Sequence, residues 1–117
     1  HLTALRARGS YLRRTLEETF KDVDIAILPI LADPLPSIAE LDIGGGPSLQ
    51  AAMARVVKYT RPINYLGLPT LALPVPRSGG LPNGIQLVGR PYAEAQLLAV
   101  GRAYQVAVPP EVARPLA

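Results

Sequence analysis

The sequence predicts an α/β fold in which helices cover a sheet, and three observations support that prediction. Segments with a helical period alternate with short strand-forming runs, in the order helix, strand, long loop, helix, strand, strand, helix. Glycine and proline, with 10 and 13 occurrences in 117 residues, mark the borders of these segments. The composition, 49% hydrophobic and 18% charged, is typical of a folded domain and not of a disordered segment. The order favours an α/β layer over a helix bundle or a β-sandwich, and the length fits one domain at most.

Residues 2–21 are predicted to form an amphipathic helix. Apolar side chains recur there at intervals of seven and four, which places them on one face. These residues are Leu5, Leu12, Leu16 and Phe20. Gly9 lies inside the pattern and weakens the helix by about 1 kcal/mol relative to alanine.

Residues 23–28 form a short apolar run rich in β-branched side chains, which Pro29 ends. Such a run is typical of a strand buried on both faces, in a sheet that helices cover. Residues 29–47 are predicted to be a loop, because their prolines and three consecutive glycines cannot sustain a helix or an inner strand. No Gly-Lys-Ser/Thr sequence follows the glycines, so we do not expect a phosphate-binding loop.

A second helix is predicted over residues 48–59, where apolar side chains recur at spacings of three and four. Ser48 directly follows a proline and suits the N-cap position. Pro62 is predicted to end this helix, since the residue before a proline avoids helical backbone angles.

Strands are predicted over residues 70–76 and 84–89, each after a turn rich in glycine and proline. The dipeptide Asn83-Gly84 is typical of a hairpin turn, which indicates that these strands are antiparallel neighbours. Residues 92–106 are predicted to form the last helix, and a proline-rich tail follows it. Three strands with two open edges make a poor sheet on their own, which indicates that the chain is part of something larger.

The charge distribution and the lengths of the apolar runs argue against nucleic-acid and membrane partners. The formal net charge is +3, and much of the excess lies in the first predicted helix. No nucleic-acid-binding motif accompanies these arginines, so we interpret them as a solvated face and expect no nucleic-acid partner. No apolar run reaches the roughly 20 residues that cross a bilayer, so we expect no membrane partner. The absence of cysteine excludes disulfides and thiolate sites, and it fits a cytoplasmic protein.

The sequence holds few groups that suit catalysis. His1 is its one histidine, and no serine lies in a Gly-x-Ser-x-Gly elbow, so a Ser-His-Asp triad is not expected. Ser48 and Lys58 lie ten residues apart on one predicted helix, or about 15 Å, too far for a nucleophile and its base. We therefore predict no catalytic residue. The carboxylates of the long loop match no cation-binding pattern, so we expect neither a metal nor a cofactor. These carboxylates are Asp33, Glu40 and Asp42.

Three segments carry a resemblance to a known family. Residues 60–74 resemble the amidase-signature pattern Thr-x-Pro-x-Asn-x-x-Gly-Leu-Pro, followed by an apolar strand that ends in proline. Residues 80–92 are similar to that family's Gly-Leu-Pro-x-Gly-x-Gln-x-x-Gly strand. Residues 23–29 resemble the strand that leads to the family's proline-rich active-site loop. Leu28-Pro29-Ile30 stands where the family often has Thr-Pro-Thr.

The resemblance implies the C-terminal portion of the amidase-signature α/β/α fold, with a mixed sheet covered by helices. The family's chemistry is acyl transfer by a serine, a second serine in a cis peptide and a lysine, all located upstream and absent from this chain. The resemblance further implies that five residues line the pocket of a small amide substrate. These residues are Pro29, Ile30, Leu31, Asn64 and Tyr65.

The amidotransferases of this family tend to place a carboxylate just before an aromatic-threonine pair. Val57 and Lys58 occupy that position here, so recognition of a glutamine ammonium group is not implied. The expected partner is the missing N-terminal catalytic portion, or a second copy through self-association. The alternative is a non-catalytic structural or interaction module that works by association with another chain.

Overall fold

The computed structural model describes residues 2–31, 36–41, 44, 47–76 and 83–108. Five helices and three strands lie in these parts of the chain. In order they are α1 (Leu2–Glu18), β1 (Ile25–Pro29), α2 (Ile38–Leu41), α3 (Pro47–Val56), α4 (Thr60–Leu66), β2 (Thr70–Val75), β3 (Asn83–Gly89) and α5 (Glu94–Ala107).

The described strands form one small sheet in the order β1-β3-β2. Both pairings are antiparallel, with Ile25 opposite Gly89 in one pair and Thr70 opposite Val88 in the other. The predicted antiparallel pairing of the second and third strands is therefore confirmed. The parallel pairing that a mixed sheet also contains does not occur among these three strands.

Helices cover both faces of the sheet. Successive side chains of β3 point to opposite sides, so they pack against different helices. Val88 faces α1 and α4, where it packs in a core of buried side chains completed by Phe20, Leu66 and Leu68. Leu87 faces α5, where it packs with two other buried leucines, Leu73 and Leu97. The resulting order of layers, helix, sheet, helix, confirms the predicted α/β fold.

The close packing of α5 depends on a glycine in its middle. A methyl group at Gly101 would lie 2.4 Å from Leu71 Cδ2, so the missing side chain allows α5 to approach β2. The Tyr104 hydroxyl then donates to the Pro74 carbonyl oxygen at 2.9 Å, which fastens the helix to the strand.

The predicted second helix does end before Pro62, since α3 ends at Val56, three residues earlier than expected. A further helix that the sequence did not predict, α4, begins at Thr60. Pro62 is tolerated in its first turn, where the missing N–H has no intrahelical partner to lose. The end of α4 is fixed by Gly67, which has a left-handed φ of 71° and donates its N–H to the carbonyls of Ile63 and Asn64.

Two further strand predictions differ from the structure. β1 was expected to be buried on both faces, yet it lies at a sheet edge and Ile27 is 63% exposed. An apolar run shows that a strand needs cover but not that the cover is present. Asn83 and Gly84 were expected to form the hairpin turn, but they lie in β3 opposite Val75 and Pro74.

The predicted loop 29–47 contains regular structure. The short helix α2 occupies Ile38–Leu41, and α3 starts at Pro47, one residue before the predicted start. Asp33 and Asp42 lie outside the described residues, as do two of the three consecutive glycines. The first helix is also shorter than predicted, since α1 ends at Glu18.

Candidate functional site

The first part of the candidate site is the carboxyl end of β1. Beyond the strand, the Ile30 N–H donates to the Gly84 carbonyl oxygen at 3.0 Å, which continues the ladder with β3. A methyl group at Gly84 would lie 2.6 Å from Ile30 Cδ1, so the glycine leaves room for the isoleucine side chain. Ile30 and Leu31 are half-buried, whereas Pro29 is exposed. An apolar rim therefore stands at this end of the sheet.

Gln86, on the central strand β3, binds the backbone of this rim. Its side chain is 4% exposed, and its Nε2 donates to the Pro29 carbonyl oxygen at 3.4 Å. In the register it lies between Leu28 of β1 and Ala72 of β2. Gln86 is not among the site residues predicted from the sequence. The available signal was an amide side chain in the middle of an otherwise apolar strand, where a buried polar group needs a partner.

Asn64 and Tyr65 lie on α4, the second part of the candidate site. Tyr65 is half-buried, its hydroxyl donates to the Ala4 carbonyl oxygen, and its ring meets that of Tyr11 edge to face with centroids 6.4 Å apart. These contacts join α1 to α4. The Asn64 side chain is exposed, and its backbone carbonyl accepts the Gly67 N–H at 3.2 Å.

The structure does not bring these two parts together in any described contact. Both parts adjoin the same core, because Leu28, the residue before Pro29, and Tyr65 of α4 each pack against the cluster that contains Val88.

Two arginines hold the helix layer in place. Arg90 donates to the backbone carbonyls of Phe20 and Val23, and its guanidinium lies 5.8 Å from the centre of the Phe20 ring. Arg8 donates to the Leu66 carbonyl oxygen at 3.3 Å, which connects α1 with the end of α4. Arg8, one of the arginines of the first predicted helix, thus has a structural contact.

The described residues offer few groups for chemistry. Within them, no cluster of three or more histidine, cysteine, aspartate or glutamate side chains is placed to hold a metal ion. No helix in the described parts is long and apolar enough to cross a membrane. Lys58 lies over the ring of its neighbour Tyr59, 5.4 Å from the ring centre. Ser48 lies in α3, and its side chain is outside what the structure describes.

Comparison with known proteins places these features in a family. Residues 1–98 match the family model described as Amidase. The chain is 40% identical to the A subunit of glutamyl-tRNA(Gln) amidotransferase from Chloroflexus aggregans over 94 residues, which are 80% of this chain and 18% of that protein. It is 35% identical to the fatty acid amide hydrolase of Medicago truncatula over 89 residues, which are 75% of this chain and 15% of that protein.

Solved structures agree with the sequence relatives. The structure of 6-aminohexanoate cyclic dimer hydrolase is similar with a TM-score of 0.78 and 28% identity, over 92% of this chain and 24% of the hydrolase. The A subunit of glutamyl-tRNA(Gln) amidotransferase from Thermotoga maritima is similar with a TM-score of 0.71 and 25% identity, over 90% of this chain and 22% of that protein. The chain spans less than a quarter of the length of each of these four proteins. It belongs to the amidase family.

Proposed function

We propose that this chain is the C-terminal segment of an amide-bond hydrolase, and that it supplies sheet strands and part of the substrate pocket wall. The observation that carries the proposal is the family match over residues 1–98 of a chain that spans 18% of an amidase relative. The relatives are much longer polypeptides, and the described residues hold no nucleophile and base in contact.

The catalytic steps are assigned to the missing N-terminal portion. The resemblance implies that a serine, a second serine in a cis peptide and a lysine perform the acyl transfer there. Without those groups the present chain would serve to shape the pocket and to exclude water. A water-poor wall favours amide cleavage because charge that develops on the reacting carbonyl interacts more strongly in a low dielectric.

The pocket wall is assigned to the apolar rim at Pro29, Ile30 and Leu31. Ligand contacts in α/β proteins gather at the carboxyl ends of strands, which is where the rim stands. Gly84 and Gln86 fix its backbone through the two hydrogen bonds described above. Asn64 and Tyr65 stay in the proposal as a second contact, because Tyr65 packs against the same core cluster as Leu28, the residue before Pro29.

A second candidate function is a non-catalytic module that acts by association. Two exposed apolar side chains of α5 favour it. Val106 lies opposite the face that packs on the sheet and is 79% exposed, and Leu98 lies on the flank of that face and is 62% exposed. Exposed apolar side chains that form a patch indicate an interaction surface. A second copy of the chain is the expected occupant under this alternative. A cytoplasmic location stays a prediction under both functions.

The reading frame upstream of Leu2 separates the two functions. We expect an open frame that encodes a glycine- and serine-rich amidase region, and the product of that frame should hydrolyse simple amides such as acetamide or benzamide. A start codon at or near Leu2 with no such region would overturn the hydrolase assignment and favour the module.

The pocket wall is tested in the protein encoded by the whole frame. Leu31→Asp should raise KM by about 10-fold or more, since one lost apolar contact in a pocket costs that much. Leu2→Asp is the matched control, because Leu2 is 70% exposed on α1. Unchanged KM in Leu31→Asp, with a folded enzyme, would remove the rim from the pocket.

A further inference from the structure

β1 has a hydrogen-bonded neighbour on one side only among the described residues. The bond from Ile30 to Gly84 fixes the phase of its ladder with β3. In an antiparallel pair, alternate residues bond to the partner strand. Leu28 and Ala26 therefore bond to β3, while Ile25 and Ile27 direct their N–H and C=O groups away from the sheet.

The outer edge of β2 also presents the backbone groups of alternate residues to solvent. The Gly89 N–H donates to the Pro69 carbonyl oxygen at 3.0 Å, so Thr70, Ala72 and Pro74 direct their backbone groups outward. Each edge ends at a proline whose carbonyl accepts a side-chain hydrogen bond, Pro29 from Gln86 and Pro74 from Tyr104. The backbone alone does not distinguish the two edges.

The side chains do distinguish them. Ile27 is 63% exposed on the α5 side of the sheet, because α5 packs on β2 and β3 and does not extend over this side chain, although Ile25 on the same side packs into the core. At the β2 edge the outward residues are the smaller Thr70 and Ala72, and α5 lies directly against that strand. An open edge strand with a bare isoleucine is a site for pairing with another strand.

We propose that β1 is the seam through which a β-strand of the missing amidase region joins this sheet. The rest of the amidase is the expected partner of β1 because the relatives are much longer than this chain. The chain matches a solved relative over 92% of its own residues but only 24% of that relative, which has about three quarters of its length outside the match. The inference rests on the proposed function and adds to it which edge is joined. A strand there would accept and donate hydrogen bonds at Ile25 and Ile27, and its apolar side chains would cover Ile27.

The test uses two matched proline variants of the chain. Ile27→Pro removes an outward N–H at the β1 edge without touching the ladder to β3, and Ala72→Pro does the same at the β2 edge. The binding probe is the part of the Chloroflexus aggregans relative that precedes its matched 94 residues. Affinity is measured by calorimetry, and circular dichroism confirms that each variant is folded.

We expect Ile27→Pro to weaken binding by about 100-fold and Ala72→Pro to leave it within about threefold. Ile27→Lys and Ala72→Lys form a second pair that keeps every N–H, and they should rank in the same order. Amide exchange gives a reading on the unmodified chain: Ile25 and Ile27 should gain protection in the complex, and Thr70 and Ala72 should not.

The outcomes separate the inference from the proposed function. Failure of the unmodified chain to bind the probe would count against the assignment of this chain as a hydrolase segment, and it would also count against β1 as the seam. Three other outcomes would leave the segment assignment standing but would overturn β1 as the seam. Binding could be lost in the β2-edge variants alone, it could be lost in the variants of both edges, or no variant could lose it. Self-association through Ile27 in place of probe binding would identify a second copy as the occupant and would also overturn it.

Discussion

Gln86 is the clearest single-residue determinant of the candidate site. A buried amide is costly unless it is hydrogen-bonded, and its described partner is the Pro29 carbonyl oxygen. The same bond orients the strand end from which Ile30 and Leu31 project. Stability and the shape of the proposed pocket wall are therefore both expected to depend on this side chain.

Gln86→Ala should lower the free energy of unfolding by about 2 kcal/mol, because it leaves a cavity and removes the bond to Pro29. The matched control is Gln96→Ala on the exposed surface of α5, which should change it by less than about 0.5 kcal/mol. Urea unfolding measures both. Equal effects of the two substitutions would show that the bond to Pro29 contributes little.

At the scale of elements, the sequence predicted what depends on local pattern. The pairing of β2 with β3 follows from two short strand-like runs separated by a connection rich in glycine and proline. The helix α4 was missed because proline's effect on the preceding residue was weighed without its tolerance in the first turn of a helix.

The remaining misses are tertiary. The cover over β1 depends on where α5 lies, and α5 follows Gly101 toward β2, a contact between residues 30 positions apart. The role of Gln86 depends on register, which sets its carbonyl partner across the strands. Neither property is encoded in a local window of the sequence.

Two helical glycines give opposite predictions. Gly101→Ala should destabilise the chain by about 1–3 kcal/mol, since the new methyl meets Leu71 Cδ2 at 2.4 Å and must displace that side chain from its packing against the core under α5. Gly9→Ala should stabilise it by about 1 kcal/mol, since nothing lies within 4 Å and alanine is the better helix former. Thermal unfolding measures both, and a stabilising Gly101→Ala would show that α5 does not depend on the close approach.

At the scale of the whole molecule, the chain by itself is expected to be inactive. The chain by itself should not hydrolyse acetamide or benzamide, because the described residues bring no nucleophile and base together. The assay is ammonia release by pure chain, compared with Ser48→Ala. Saturable turnover that Ser48→Ala abolishes would show that Ser48 and Lys58 form a catalytic pair after all.

The molecule is less compact than a typical domain of its length. The radius of gyration of the Cα atoms is 16.9 Å, against about 13 Å for a compact domain of this length. One dimension is only 17 Å, and exposed apolar side chains lie on the open edge at Ile27 and on the flank of α5 at Leu98. A chain this thin leaves much of its apolar surface in water.

That surface should drive association. Covering about 400 Å² of apolar surface contributes about 10 kcal/mol at 25 cal/mol per Å², which is comparable to the whole stability of a domain. At micromolar concentration we therefore expect sedimentation to show an oligomer of the chain alone, and a one-to-one complex once the N-terminal amidase region is added. Ile27→Lys should shift the isolated chain toward monomer, whereas Ala72→Lys should not. A compact monomer that unfolds cooperatively without any partner would contradict the view that this chain is one piece of a larger sheet.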